Sequence, residues 1–305
     1  MQDPDLDCPG RYCGRYLGEC TACPRGMRVN VTSKNCEDCK MDPETYEWLY
    51  LGFMVLVVIY FHMESLTRFL EKACGECDVR STSKWICVTL LETMVAAFLT
   101  LILSDPHGQL QLYGCGVRSF LDWYSVFQNP SEKFVETIYC DSEVVYPLFS
   151  IVYKFLGFCL IMMILIKSWY KPTVFTTSSV YATLYFIPGI ALLHGLLCGV
   201  IYYSFPYLCI SGSLLLTAIL MSEHLEDFTD IVDNIKKAEF MSQILMYWVL
   251  HGYGILSIVT YNHLSHWYLL LTPLPTVFYV VTLPFSIPIV QSMNEEIQEG
   301  GVRGI

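Results

Sequence analysis

The 305 residues are 54% hydrophobic and only 15% charged, where a soluble domain would carry about a quarter charged. The formal charge of −11 excludes a nucleic-acid-binding surface and a polybasic lipid-binding patch as the basis of function. The charges crowd into residues 1–47, 62–84, 132–143, 222–239 and 294–303, and long apolar runs fill the intervals. A bilayer core of about 30 Å needs about 20 apolar residues in a helix. The expected fold is therefore an all-α polytopic helix bundle with about seven spans, preceded by a small cysteine-rich segment.

Residues 1–47 form that segment. They hold Cys8, Cys13, Cys20, Cys23, Cys36 and Cys39, an even number in a stretch too short and polar to build its own core. We read luminal disulfide stapling in an oxidising compartment. The rival reading is a zinc site, since Cys20-x-x-Cys23 and Cys36-x-x-Cys39 offer four thiolates at roughly zinc-ribbon spacing. Six cysteines allow 15 connectivities, so the pairing stays open. Asn30-Val31-Thr32 is an acceptor sequon for N-glycosylation, which matters only on the luminal side. The segment lacks an apolar h-region, so the first span is expected to act as an uncleaved anchor.

Spans are predicted near 48–64, 85–103, 144–166, 181–201, 204–221, 241–260 and 268–290, a transmembrane domain of 48–290 followed by a short cytosolic tail, 291–305. The fourth and fifth are divided at Ser204-Phe205-Pro206, where proline removes a backbone donor and disfavours helix at the preceding residue; a tight hairpin is expected there. The last carries Pro273, Pro275, Pro284 and Pro288 and is expected to be kinked and packed among its neighbours. With an external N-terminus, the cytosolic loops hold Arg68, Lys72, Arg80, Lys84, Lys167, Lys171, Lys236 and Lys237, and the opposite loops only Arg118 and Lys133, in line with the positive-inside rule, although the six basic residues of 1–47 work against it. Cys115 and Cys140 share one luminal loop and are expected to form a further bridge. Cys74 and Cys77 fall in a cytosolic loop, where thiols stay reduced.

Four ionisable residues lie at membrane depth: Glu92, Lys154, His194 and His251. Glu92 and Lys154 are expected to pair between the second and third spans and hold them in register, and the two histidines to be interhelical hydrogen-bond partners. The alternative is a small-molecule transporter or intramembrane enzyme using these same residues. Asn262-His263-Leu264-Ser265-His266 and Asp105-Pro106-His107 are too sparse to make a metal site persuasive. No His-Glu-x-x-His, nucleophile elbow, P-loop or dinucleotide fingerprint occurs, so neither an enzyme nor a cofactor is expected. Gly195 and Gly199 have small-xxx-small spacing, with Gly189 on the same predicted span.

Several stretches carry a family resemblance. They are Cys8-Pro-Gly-Arg-Tyr-Cys-Gly14, Gly18-Glu-Cys-Thr-Ala-Cys-Pro-Arg-Gly26, Trp48-Leu-Tyr-Leu-Gly-Phe-Met54, Ser104-Asp-Pro106, Asp122-Trp-Tyr124, Glu143-Val-Val-Tyr-Pro-Leu148, Tyr181-Ala-Thr-Leu-Tyr-Phe-Ile-Pro188, Tyr202-Tyr-Ser-Phe-Pro-Tyr207 and His251-Gly-Tyr-Gly-Ile-Leu-Ser-Ile258. In these the chain resembles the c-Jun N-terminal kinase-associated membrane protein family. The resemblance implies residence in the endoplasmic reticulum membrane, with the N-terminus luminal and the C-terminus cytosolic. It also implies an adaptor that brings proteasomes and degradation factors, ubiquitin ligases included, to misfolded clients and prolongs stress-kinase signalling. Partners implied are thus the proteasome, degradation factors, a c-Jun N-terminal kinase and membrane lipid. The segment between Gly14 and Gly18 is short for that family, and the loop with Cys74 and Cys77 departs from it.

Overall fold

The computed structural model describes residue 8 and residues 12–73, 79–128, 143–169, 174–224 and 237–282. The chain divides into two compact units, Met1–Tyr203 and Ser204–Ile305.

The first unit begins with two short antiparallel hairpins. Strands β1 (Cys13–Tyr16) and β2 (Glu19–Ala22) pair with Tyr16 opposite Glu19, leaving a two-residue turn. Leu17 and Gly18 both have positive φ, 52° and 91°, which a type I′ turn demands and which the following glycine makes easy. Strands β3 (Met27–Val29) and β4 (Cys36–Asp38) form the second pair. So little sheet buries almost nothing, and disulfides take the place of a core: Cys8–Cys20, Cys23–Cys36 and Cys39–Cys115 are bonded, and Cys13 is disulfide-bonded as well. The zinc reading is thereby overturned, because thiolates committed to disulfides cannot ligate metal. The expected Cys115–Cys140 bridge is also corrected, since Cys115 is taken by Cys39. Cys140 itself, like Cys74 and Cys77, lies outside the described residues.

Helix α1 (Thr45–Ala73) opens with half of a capping box: the Glu47 carboxylate reaches back to the backbone N–H of Glu44 at 3.0 Å. Its other oxygen accepts the Val117 N–H at 3.2 Å, tying the start of the helix to the loop beyond α2 (Val79–Ile102). Helices α2 and α3 (Leu148–Trp169) pack extensively on each other, and both also pack on α1. A 3-10 segment, Phe120–Gln128, lies between them in sequence.

Helix α4 (Val174–His224) corrects the expected hairpin at Ser204-Phe205-Pro206, because the backbone is helical through those residues. Its single departure is at Leu197, with φ −118° and ψ 15°. Pro206 cannot donate to the carbonyl of Tyr202, four residues earlier. That carbonyl accepts the Tyr46 hydroxyl instead, at 2.7 Å, so the orphan created by proline is satisfied by a side chain 156 residues away. Among the described residues four helical stretches are long and apolar enough to cross a membrane: Thr45–Ser65, Leu148–Ile166, Ala182–Ser222 and Phe240–Tyr261; Ile86–Ile102 is apolar but shorter. At 41 residues Ala182–Ser222 has twice the length a single crossing needs.

The second unit contains α5 (Ala238–Tyr261), whose Phe240 and Ile244 are buried with Leu220 and Met221. Beyond it the chain is not one kinked helix through 268–290. A 3-10 segment, His266–Leu271, is followed by a turn and by helix over 274–282, with Pro275 in the first turn, where its missing donor costs nothing. Residues after 282 lie outside the described set.

Candidate functional site

In the first unit the disulfide-bonded segment and the loop after α2 meet at a buried ion pair. Asp122 has a completely buried carboxylate, and one oxygen accepts the Arg28 guanidinium at 3.0 Å and the backbone N–H groups of Arg118 and Ser119, each at 3.0 Å. Its second oxygen accepts the Tyr12 hydroxyl at 3.1 Å. Arg28 also donates to the carbonyls of Gly116, at 2.7 Å, and Cys115, at 3.2 Å, next to the Cys39–Cys115 bond. Burial lowers the Arg28 pKa, and the Asp122 charge opposes that. Both Asp122 oxygens and both terminal nitrogens of Arg28 are thus matched, which favours toleration of a buried pair.

A second polar cluster lies beside it. Tyr146 donates to Asp105 at 2.5 Å, and the other Asp105 oxygen lies 3.0 Å from His107 Nδ1. Burial and the Asp105 contact push the Tyr146 phenol up. Arg25 pairs with Glu143 at 3.2 Å and sits over the Tyr146 ring, 5.6 Å from its centroid. The Asp105-Pro106-His107 motif therefore anchors the loop. Among the described residues no three His, Cys, Asp or Glu side chains are grouped to hold a metal ion.

Below these clusters is an aromatic layer: Tyr202 packs on Tyr46, Tyr50 and Trp123 with centroids 5.1, 5.2 and 5.0 Å away. His194, fully buried, is held in one tautomer: its Nε2 donates to the Phe149 carbonyl at 3.0 Å, so its Nδ1 accepts the Tyr50 hydroxyl at 3.3 Å. It is an interhelical hydrogen-bonding residue with both nitrogens occupied. Gly195 and Gly199 do mark close approaches. A Cβ at Gly195 would lie 2.6 Å from the Tyr153 hydroxyl, and one at Gly199 would lie 2.8 Å from the Tyr124 ring; Gly189 has open space.

Glu92 is buried in α2, near Cys159 of α3, while the Lys154 ammonium reaches the Ser104 hydroxyl at 3.5 Å. Among the described residues no ion pair joins the two. The reason is geometric: Ser104 lies 12 positions beyond Glu92, about 18 Å along a helix axis, and a lysine stem leans toward the N-terminus of its own helix, here toward the Ser104 end. A cavity of 660 Å³ opens around Lys154, lined also by Arg25, Asp122, Trp123, Glu143 and Tyr153. The Asn30 side chain, on the β3–β4 connection, donates to Glu37 at 2.8 Å and accepts the Thr32 N–H at 2.8 Å; Val31 and Thr32 are exposed.

In the second unit His251 Nδ1 lies 2.8 Å from the Ser213 hydroxyl. That hydroxyl also donates to the Ile210 carbonyl at 2.7 Å, which leaves the His251 ring nitrogen as the donor. A serine whose proton is already committed to a backbone carbonyl is a structural partner rather than an activated nucleophile.

A family model described as JNK1/MAPK8-associated membrane protein matches residues 8–288. The chain belongs to that family. It is similar to the JNK1/MAPK8-associated membrane proteins of Mus musculus and Homo sapiens, each 36% identical over 300 residues, covering 92% of this chain and 94% of the relative. The homologue from Caenorhabditis elegans is 28% identical over 284 residues, covering 89% of this chain and 85% of the relative. No solved structure matches. These relatives are named for association with a kinase and for the membrane, and their names carry no enzymatic activity. For this member of the JNK1/MAPK8-associated membrane protein family, the Arg28–Asp122 pair is the feature that sequence reading missed. Its signal is present in Phe120-Leu121-Asp122-Trp123, where a lone carboxylate amid large apolar residues must find a cation.

Proposed function

We propose that the chain is a non-enzymatic adaptor of the endoplasmic reticulum membrane. It recruits proteasomes and degradation factors to misfolded proteins and associates with a c-Jun N-terminal kinase. The observation that carries this reading is family membership over residues 8–288, with curated relatives named as kinase-associated membrane proteins. The disulfides of the N-terminal segment support its exposure to an oxidising lumen, and on the proposed topology the N-terminus faces that lumen and the C-terminus the cytosol. On this orientation Asn30 carries an N-glycan, removable by a glycosidase; an unmodified Asn30 in the native membrane rejects the luminal assignment.

An adaptor needs a stable membrane scaffold and soluble surfaces, and the fully paired Arg28–Asp122 junction supplies the first. The acidic run from Glu223 to Asp233, a candidate recruiting surface, lies outside the residues whose side chains are described. The test is a clean deletion. Clearance of misfolded membrane clients is expected to slow, and less proteasome is expected on endoplasmic reticulum membranes. Unchanged client half-life together with unchanged membrane-bound proteasome rejects the quality-control role. Co-purification of the kinase with the full chain tests the kinase association separately.

A further inference from the structure

The 660 Å³ cavity of the first unit holds a charge that its own walls do not balance. Four of its lining residues are formally charged: Arg25, Lys154, Asp122 and Glu143. Glu143 is paired with Arg25 and accepts the Ser150 N–H at 2.9 Å. Asp122 is satisfied by Arg28, Tyr12 and two backbone N–H groups. The surplus is the Lys154 ammonium, which among the described residues has the Ser104 hydroxyl, at 3.5 Å, and no carboxylate within ion-pair distance. A cation on a membrane span is costly unless something neutralises it. Trp123 lines the same cavity wall. The unspent group is a cationic donor, so the missing partner is an anionic acceptor. Around it the wall is apolar and aromatic, with Phe149, Tyr153, Val144 and Val145.

We infer that this cavity binds an anionic amphiphile: a carboxylate or phosphate headgroup that accepts from Lys154, carrying an acyl chain that lies on the aromatic wall. The stem of Lys154 leans toward the N-terminal end of α3, which holds the ammonium near the membrane boundary, the level at which a lipid headgroup or an ionised fatty acid sits. The volume is that of a small-ligand pocket and far exceeds what one ion or a few waters fill.

The experiment uses the full chain in phosphatidylcholine nanodiscs and reads the component of tryptophan fluorescence that W123F removes. Three probes are titrated: 9,10-dibromostearate, its neutral methyl ester, and a phosphatidylglycerol brominated on its acyl chains. Saturable quenching by the acid or by the anionic phospholipid, with none by the ester, is expected, and which of the two quenches identifies the free or the lipid source. K154Q is expected to weaken the apparent affinity about tenfold, and K154R to retain it. Equal quenching by acid and ester, or quenching by no probe, overturns the inference. So does an unchanged affinity in K154Q. The acid-against-ester comparison needs no change at Lys154, so it decides the matter even if K154Q fails to fold.

Discussion

The two units of the chain are held together by different physics. In Met1–Tyr203 a segment with almost no sheet is stapled by disulfides and anchored by an ion pair whose every oxygen is used. In Ser204–Ile305 the described contacts are apolar packing of Leu220, Met221, Phe240 and Ile244 with single hydrogen bonds such as Ser213–His251 and Trp248–Thr276. The N-terminal segment of the first depends on a few specific partners whose loss is expensive, whereas the described contacts of the second are apolar packing and single hydrogen bonds. Charged groups can hold the first together because its polar cluster is matched group by group, and the cost of burial is met by hydrogen bonds already in place.

The largest expected effect breaks the first unit where it is most specific. Asp122→Ala leaves the half-buried Arg28 without its counter-charge, together with two backbone N–H groups and the Tyr12 hydroxyl. Removing one partner of a buried pair costs about 3 to 5 kcal/mol. Replacing Arg28 and Asp122 together by apolar residues is expected to be milder, which thermal unfolding in nanodiscs can resolve. Equal losses from the single and double changes would mean that the unpaired Arg28 charge is not what makes the single change costly.

Next comes Cys39→Ser, which opens a link spanning 76 positions between the N-terminal segment and the loop after α2. Losing a native disulfide costs about 2 to 5 kcal/mol, so the segment is expected to become protease-sensitive while 238–282 stays resistant. The same pattern is expected on mild reduction of the unaltered chain. If 238–282 becomes sensitive in parallel, the contrast between the units fails.

Much of this architecture is legible in the sequence, and the illegible parts share one cause. The stapled N-terminal segment and the apolar helices follow from cysteine number and hydropathy, which are local properties. Disulfide pairing is not local: Cys39 meets Cys115 only because the loop after α2 folds back to place Gly114 against Met41. Pro206 reads as a hairpin because the Tyr46 hydroxyl that rescues the Tyr202 carbonyl is remote in the chain. Glu92 and Lys154 read as partners because both are charged and membrane-embedded, yet sequence does not show that the lysine leans toward Ser104. His194 and His251 do engage groups on neighbouring segments, as Phe149 and Ser213 show, because a buried imidazole must bond with whatever lies opposite.

The second unit is sharpened by Gly254, where a Cβ would stand 2.6 Å from the Pro206 carbonyl and 2.7 Å from Ile210. Gly254→Ala must push α5 away from backbone, which cannot yield as a side-chain tip can. Overpacking of this kind costs about 1 to 3 kcal/mol, read as a lower unfolding midpoint with the disulfide-bonded segment still protease-resistant.

The smallest effect belongs to Ser213→Ala. Its hydroxyl donates to the Ile210 carbonyl, which is within its own helix, and accepts from His251. Removing it costs that carbonyl little, because a helical carbonyl keeps its backbone partner, but leaves the imidazole N–H in a largely apolar setting. Hydrogen bonds between membrane helices contribute about 0.6 kcal/mol on average, since the unfolded chain in a bilayer also finds partners. A shift of that size is expected, with His251→Ala adding little to it, because the two side chains share one interaction. A loss several times larger would mean that the second unit depends on a specific pair as the first does.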